Sequence, residues 1–218
     1  MTSALAPTVN FFVQGGPFMV LLVLLSLVSC TVIILRARAL TEKVVIPPPV
    51  ELALEKLFPG DELDPLQDAI ARHPSAISRI LKVLITHLNW QKAENLEAVQ
   101  TRARQEVSHL EKGLVILEVA TGVAPLLGLL GTLSGLVGIF AAIGSTTADP
   151  VLIARGISEA LNTTIAGLGV SVISLIAYSY FQRKIEVMAI GMESMAADLM
   201  AKCYPHGEYP QVEKHITR

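Results

Sequence analysis

The chain has 218 residues, 52% of them apolar and only 17% charged, and its 17 Lys and Arg against 19 Asp and Glu leave a formal net charge of −2. That balance, with no basic stripe, gives no electrostatic footprint for nucleic acid. Two isolated cysteines, Cys30 and Cys203, exclude a disulfide framework or a thiolate metal site.

The histidines (His73, His87, His109, His206, His215) show no ligand-like pairing, so no metal or organic cofactor is expected. A soluble domain carries about a quarter charged residues, and the deficit here is local. Residues 1–35, 119–148 and 160–182 have no charged side chain, while 36–118 hold most of the charge. Uncharged blocks around an ordinary polar segment point to an all-α integral membrane protein with a water-facing part.

A bilayer core of roughly 30 Å needs about 20 helical residues. Residues 1–15 precede the first candidate span, 16–35, with the run FMVLLVLLSLVSCTVIIL. Leu27-Val28-Ser29-Cys30 has the form of a lipoprotein processing box. No Lys or Arg precedes it, however, and the apolar run continues to Leu35 and Arg36, so a spanning helix is expected instead of a signal.

Residues 36–118 follow as a helical polar domain. Pro47-Pro48-Pro49 breaks the chain after the first span, and Pro59-Gly60 and His73-Pro74 punctuate what comes next. Ser75 to Trp90 spaces Ile77, Ile80, Leu81, Leu84 and Leu88 along one helix face. Ala93 to Leu117 reads as a long polar helix running into the second span, with Gly113 the one breaker.

The second span is placed at 119–145 and the third at 159–182, with 146–158 holding their connection and the start of the third helix. Asp149-Pro150 reads as an N-cap followed by proline at the first helical position. Residues 183–218 continue the third helix and end in a tail. Lys and Arg cluster after span one, before span two and after span three, while the N-terminus has none and the 2–3 connection has only Arg155. The expected topology is an outer N-terminus with the large loop and C-terminus in the cytoplasm.

The second and third spans hold residues that lipid does not favour. Gly128, Gly131 and Gly135 lie near one side of a helix, at a spacing that lets backbones approach closely. They serve packing, which a pore between helices also requires. Thr132 either bonds back to a carbonyl one turn earlier or faces a pore. Asn162, Thr163, Thr164, Ser171 and Ser174 fit a protein interface or a wet lumen better than lipid. Glu159, at the membrane boundary, is either a functional carboxylate or the partner of Arg155 in an i, i+4 ion pair.

Ala124-Pro125-Leu126-Leu127-Gly128-Leu129-Leu130-Gly131-Thr132, followed by Gly135, resembles the second-span signature of ExbB and TolQ. Gly156-Ile-Ser-Glu159-Ala160-Leu161, then Thr164 and Gly167-Leu168, resembles their third-span signature, with Tyr178-Ser-Tyr180-Phe181 at the inner end. The chain is thus similar to the MotA/TolQ/ExbB proton-channel family over 119–184. Three spans favour the ExbB/TolQ branch, because MotA has an additional pair of outer helices.

The resemblance implies a homopentamer in the inner membrane of a Gram-negative-type bacterium. Its second and third helices would line a pore holding the single transmembrane helices of two ExbD- or TolR-like partners, and it leaves room for a TonB- or TolA-like protein. Thr132 and Thr164 would be hydroxyls beside the partner's proton-carrying aspartate, Glu159 the acid near the outer side. Asn162 and Thr163 depart from the apolar residues of that signature and are placed with the polar lining by their chemistry alone, while Gly128, Gly131, Gly135 and Gly167 would pack the helices. The expected function is a stator converting proton motive force into work on the envelope, with outer-membrane nutrient uptake favoured over envelope integrity. Rival readings are a non-conducting scaffold and a solute transporter, for which paired inverted halves are absent. An enzyme is not expected, since no nucleophile–base or metal constellation appears.

Overall fold

The computed structural model describes residues 16–143 and 150–204, and these fold into eight helices. In chain order they are α1 (Gly16–Ala39), α2 (Glu42–Val45), α3 (Pro48–Glu55), α4 (Asp64–Arg72), α5 (Ala76–Thr86), α6 (Lys92–Glu111), α7 (Leu114–Ile143) and α8 (Pro150–Cys203). Three of them, α1, α7 and α8, are long and apolar enough to cross a membrane. The described residues divide into two compact units. An apolar unit comprises the described parts of 1–37 and 113–182, and a polar unit those of 38–112 and 183–218.

In the polar unit, local chemistry sets the starts of α3 and α5. The triproline both breaks the chain and starts α3. Pro47 is the extended N-cap and Pro48 the first helical residue, where a fixed φ suits the helix and a missing N–H costs nothing. Ser75 caps α5 by accepting the Ser78 N–H at 3.2 Å. Four of the five expected stripe positions, Ile77, Ile80, Leu81 and Leu84, are fully buried, each contributing about 1.5–3 kcal/mol over an exposed side chain. Helix α5 ends at Thr86, and Leu88 lies beyond it, half-buried.

The last part of α8 supplies Ile185, Met188, Met192, Leu199 and Met200 to the buried set of this unit. Its end is tied down by polar bonds. Asn95, fully buried in α6, donates through Nδ2 to Leu84 O and to the Tyr204 hydroxyl, both at 3.0 Å. Lys202 Nζ donates to Leu54 O at 2.8 Å.

The long helix expected from Ala93 into the second span is two helices. Gly113 has φ +90°, and a Cβ there would lie 3.0 Å from Arg36 Nη2. The left-handed backbone ends α6 and restarts the chain as α7; only glycine adopts it without strain while leaving room for the guanidinium.

One ion-pair cluster in this unit escapes sequence reasoning. Glu106 is 1% exposed and takes Arg79 Nε on Oε1 at 2.8 Å, Arg79 Nη2 on Oε2 at 2.6 Å, and Arg102 Nη2 on Oε1 at 2.7 Å. Burial pushes the carboxyl up, but the Arg79 hydrogen bonds and the charges of Arg79, Arg102 and His109 outweigh it and hold the group below the usual range. Replacing Glu106 by glutamine is expected to cost about 2 kcal/mol. That is less than the ~3–5 kcal/mol of a fully buried pair, because both arginines remain partly in water. Urea unfolding of the solubilised full chain, followed by Trp90 fluorescence, measures it. A carboxylate with a lowered folded pKa stabilises above its unfolded value of about 4.3 and loses that contribution as pH falls through the folded value. The native protein should therefore lose stability below about pH 4.3 more steeply than Glu106→Gln.

Candidate functional site

In the apolar unit α7 and α8 meet along a seam of small residues. On α7 the buried positions are Leu114, Leu117, Ala120, Ala124, Gly128, Gly131, Gly135 and Ile139, spaced three or four apart as one helix face requires. A Cβ on Gly128 would lie 3.1 Å from Thr163 O, and one on Gly167 would lie 2.6 Å from Ala124 O. A Cβ on Gly135 would lie 2.8 Å from Gly156 O. Backbones this close leave no room for larger side chains, which is how glycine-rich membrane helices pack. The four glycines expected to pack all lie here. Gly156 and Ala160, whose spacing with Thr163 and Gly167 is that of one face of α8, belong to the same seam and could have been found by extending that spacing.

The candidate polar residues separate by their place around this seam. Thr163 is fully buried, and the hole left by Gly131 receives it: a Cβ on Gly131 would lie 2.6 Å from both Thr163 Cβ and Oγ1. Its hydroxyl donates to Glu159 O at 2.5 Å. Thr163, expected among the pore residues, is therefore placed between the helices as a packing group.

Thr164, one residue on, is half-buried. Its hydroxyl bonds Ala160 O at 3.2 Å and stands 3.4 Å from Gly128 O on α7. Thr132 is half-buried and donates back to Leu129 O at 2.6 Å, the local bond weighed for it above. Asn162 Nδ2 approaches Ser158 Oγ at 3.4 Å. Ser171 crosses the seam and donates to Thr121 O at 2.7 Å, while Ser174 is fully buried.

Glu159 is half-buried, and no ion pair joins it to Arg155 among the described residues. Its carboxylate instead lies over Gly16, the first residue of α1, which has φ +64°; any side chain there would meet Glu159 Oε1. Sequence reasoning did not connect these two positions, which are far apart in the chain. Asp149, the expected N-cap of α8, lies outside the described residues, and α8 begins with Pro150.

No group of three or more His, Cys, Asp or Glu that could hold a metal occurs among the described residues. What this unit offers chemically is a set of hydroxyl, amide and carboxylate groups on helices whose stretches 119–143 and 160–182 carry no charge. These can donate to or accept from a proton-carrying group.

The sequence model of the MotA/TolQ/ExbB proton channel family matches residues 72–194, more than half the chain. A biopolymer transport protein ExbB homolog of Methanothermobacter thermautotrophicus is 34% identical over 132 residues, covering 61% of this chain and 47% of that protein. The chain thus spans about half the length of that relative. ExbB-like protein 1 of Synechocystis sp. is 32% identical over 177 residues, 77% of this chain and 67% of its own length. The Tol-Pal system protein TolQ of Haemophilus influenzae is 24% identical over 78% of this chain and 79% of its own.

Proposed function

Because the chain belongs to the MotA/TolQ/ExbB proton channel family, we propose that it is the stator subunit of a proton-driven envelope motor of the ExbB kind. It is an integral membrane proton-channel subunit of the ExbB/TolQ type, and its family consists of transport proteins and not enzymes. In the proposed assembly five copies form a ring in the inner membrane, with the N-terminus periplasmic and the polar unit cytoplasmic. The spans are those expected above, 16–35, 119–145 and 159–182. Two single-span ExbD- or TolR-like helices sit inside, and the work done is on outer-membrane nutrient uptake.

The observation that carries this reading is the position of Thr132, Thr164 and Glu159. All three are half-buried polar residues on spans that are otherwise uncharged and closely packed. A hydroxyl can bond a partner carboxyl in either protonation state, which lowers the cost of passing a proton through a low-dielectric lumen. Protonation then changes the partner's preferred contacts and shifts its orientation in the ring. Asn162 extends the polar lining, while Thr163 holds the seam.

A TolQ-like role in envelope integrity is the second reading. It is favoured by the extent of the Haemophilus TolQ match, which takes in more than three quarters of both chains.

Native mass spectrometry of the solubilised protein, alone and co-expressed with an ExbD-like partner, tests the assembly. A pentamer retaining two partner chains is the expected result. A monomer or dimer that ignores the partner would move the assignment to a non-conducting scaffold.

A further inference from the structure

The polar unit carries a charged cleft that the proton pathway does not use. Helix α5 places Arg79, Lys82, Val83 and Thr86 on one face by their three- and four-residue spacing. With His87 and Arg102 they line a cleft of about 360 Å³. No carboxylate lines it. Glu106 lies beneath, 1% exposed, and a single carboxylate there serves two guanidinium groups, so the cluster keeps net positive charge. Glu94 and Glu97 line a neighbouring hollow that Arg102 also borders, and not this cleft.

The donors of the cleft are not used up. Arg79 commits Nε and Nη2 to Glu106, and its Nη1 has no hydrogen bond among the described residues. Arg102 gives Nη2 to Glu106 at 2.7 Å and Nη1 to Gln105 Oε1 at a long 3.5 Å. Its Nε is buried with no partner among the described residues, so its contribution to the cleft is chiefly its charge. Lys82 is exposed and makes no ion pair among the described residues. The Thr86 hydroxyl is spent on Lys82 O at 2.8 Å, which leaves the cationic groups as the donors.

Basic side chains on a helix face are ordinarily solvated and mobile. Here the buried Glu106 holds Arg79 through two contacts and Arg102 through one, and burying a carboxylate is a costly way to gain stability alone. With Arg79 Nη1 left free among the described residues, two anchored guanidinium charges beside an ammonium group suit an oxyanion of more than one negative charge. Convergence of three cations favours a phosphate, which carries about −1.5 to −2 charge as a monoester, over a single carboxylate.

We propose that the Arg79–Lys82–Arg102 cleft binds a phosphate-bearing ligand, either a free phosphate compound or the headgroup of an anionic phospholipid. A reporter is built in. Trp90 is the sole tryptophan, and its ring centroid lies 4.0 Å from that of His87 in the cleft wall.

The test uses the full chain in two arms. In detergent it is titrated with inorganic phosphate and with pyrophosphate at ionic strength held constant with chloride, followed by Trp90 fluorescence and calorimetry. In the second arm Trp90 fluorescence is compared between nanodiscs of phosphatidylcholine and nanodiscs that also contain phosphatidic acid. A saturable response in at least one arm is expected. It should weaken about tenfold in Lys82→Gln, the loss of one charge-assisted hydrogen bond, and stay unchanged in Arg72→Gln, outside the cleft.

A response to the soluble anions assigns the ligand to free phosphate compounds, and one confined to nanodiscs assigns it to a headgroup. No saturable response in either arm, or equal binding by Lys82→Gln with its helical circular dichroism intact, overturns the proposal.

Discussion

Replacing Thr164 by valine is expected to leave the protein helical and assembled while reducing proton-driven work at least about tenfold. The substitution keeps the shape of the side chain. It removes a hydroxyl whose bonds in the protomer, 3.2 Å to Ala160 O and 3.4 Å to Gly128 O, are long and partly duplicate the helix ladder, so the structural cost is small. The cost to proton transfer is larger, because a hydroxyl facing a charged partner group is worth about 1.5–3 kcal/mol, a tenfold or greater change in rate. Thr132→Val and Glu159→Gln should behave alike. Proton flux into liposomes holding the protein with its ExbD-like partner, paired with native mass spectrometry of each variant, separates loss of function from loss of assembly. Normal flux in all three variants would remove these residues from the pathway.

The second large effect belongs to the seam. Gly131→Ala would gain about 1 kcal/mol in helix propensity if the site were open. It is closed: the new methyl would lie 2.6 Å from Thr163 Cβ, and overpacking of this kind costs about 1–3 kcal/mol. The clash is between atoms fixed to two backbones, so no rotamer change relieves it. The alanine variant should therefore lower the thermal aggregation midpoint in detergent, and leucine should prevent a stable ring from forming. Adding Thr163→Gly to Gly131→Ala empties the facing position and should recover part of the loss. An alanine variant as stable as the native protein would show that α7 and α8 are not held at this distance.

The first expectation concerns Thr164, and the second turns on its neighbour Thr163, which faces Gly131. Thr163 and Thr164 are chemically identical, and although only Thr164 belongs to the motif, both are expected from the sequence to line the pore. Neighbouring positions on a helix point about 100° apart, so only one of them can enter the hole at Gly131. The packing of α7 against α8 selects Thr163. Glu159 and Arg155 sit at ion-pair spacing, yet the carboxylate lies over Gly16, a choice that depends on where α1 begins.

Glu106 shows the same limit in the polar unit. In sequence it is one acid among the many charges of α6, indistinguishable from a solvated face, and its principal partner Arg79 is 27 residues away.

The residues by themselves determined the three membrane-length helices, the helical polar segment, the small-residue face of α7 and the family. The first three follow from composition or spacing within one segment, because lipid demands about 20 consecutive apolar residues and close helix packing demands glycine at fixed intervals. The family follows from the resemblance of two motifs in the second and third spans. The tertiary structure decided which threonine fills the seam, where Glu159 lies, that Gly113 separates α6 from α7, and that Glu106 is buried beneath two arginines. Those outcomes are set by groups far apart in the chain competing for the same space and the same hydrogen bonds, and no local pattern records which of them wins.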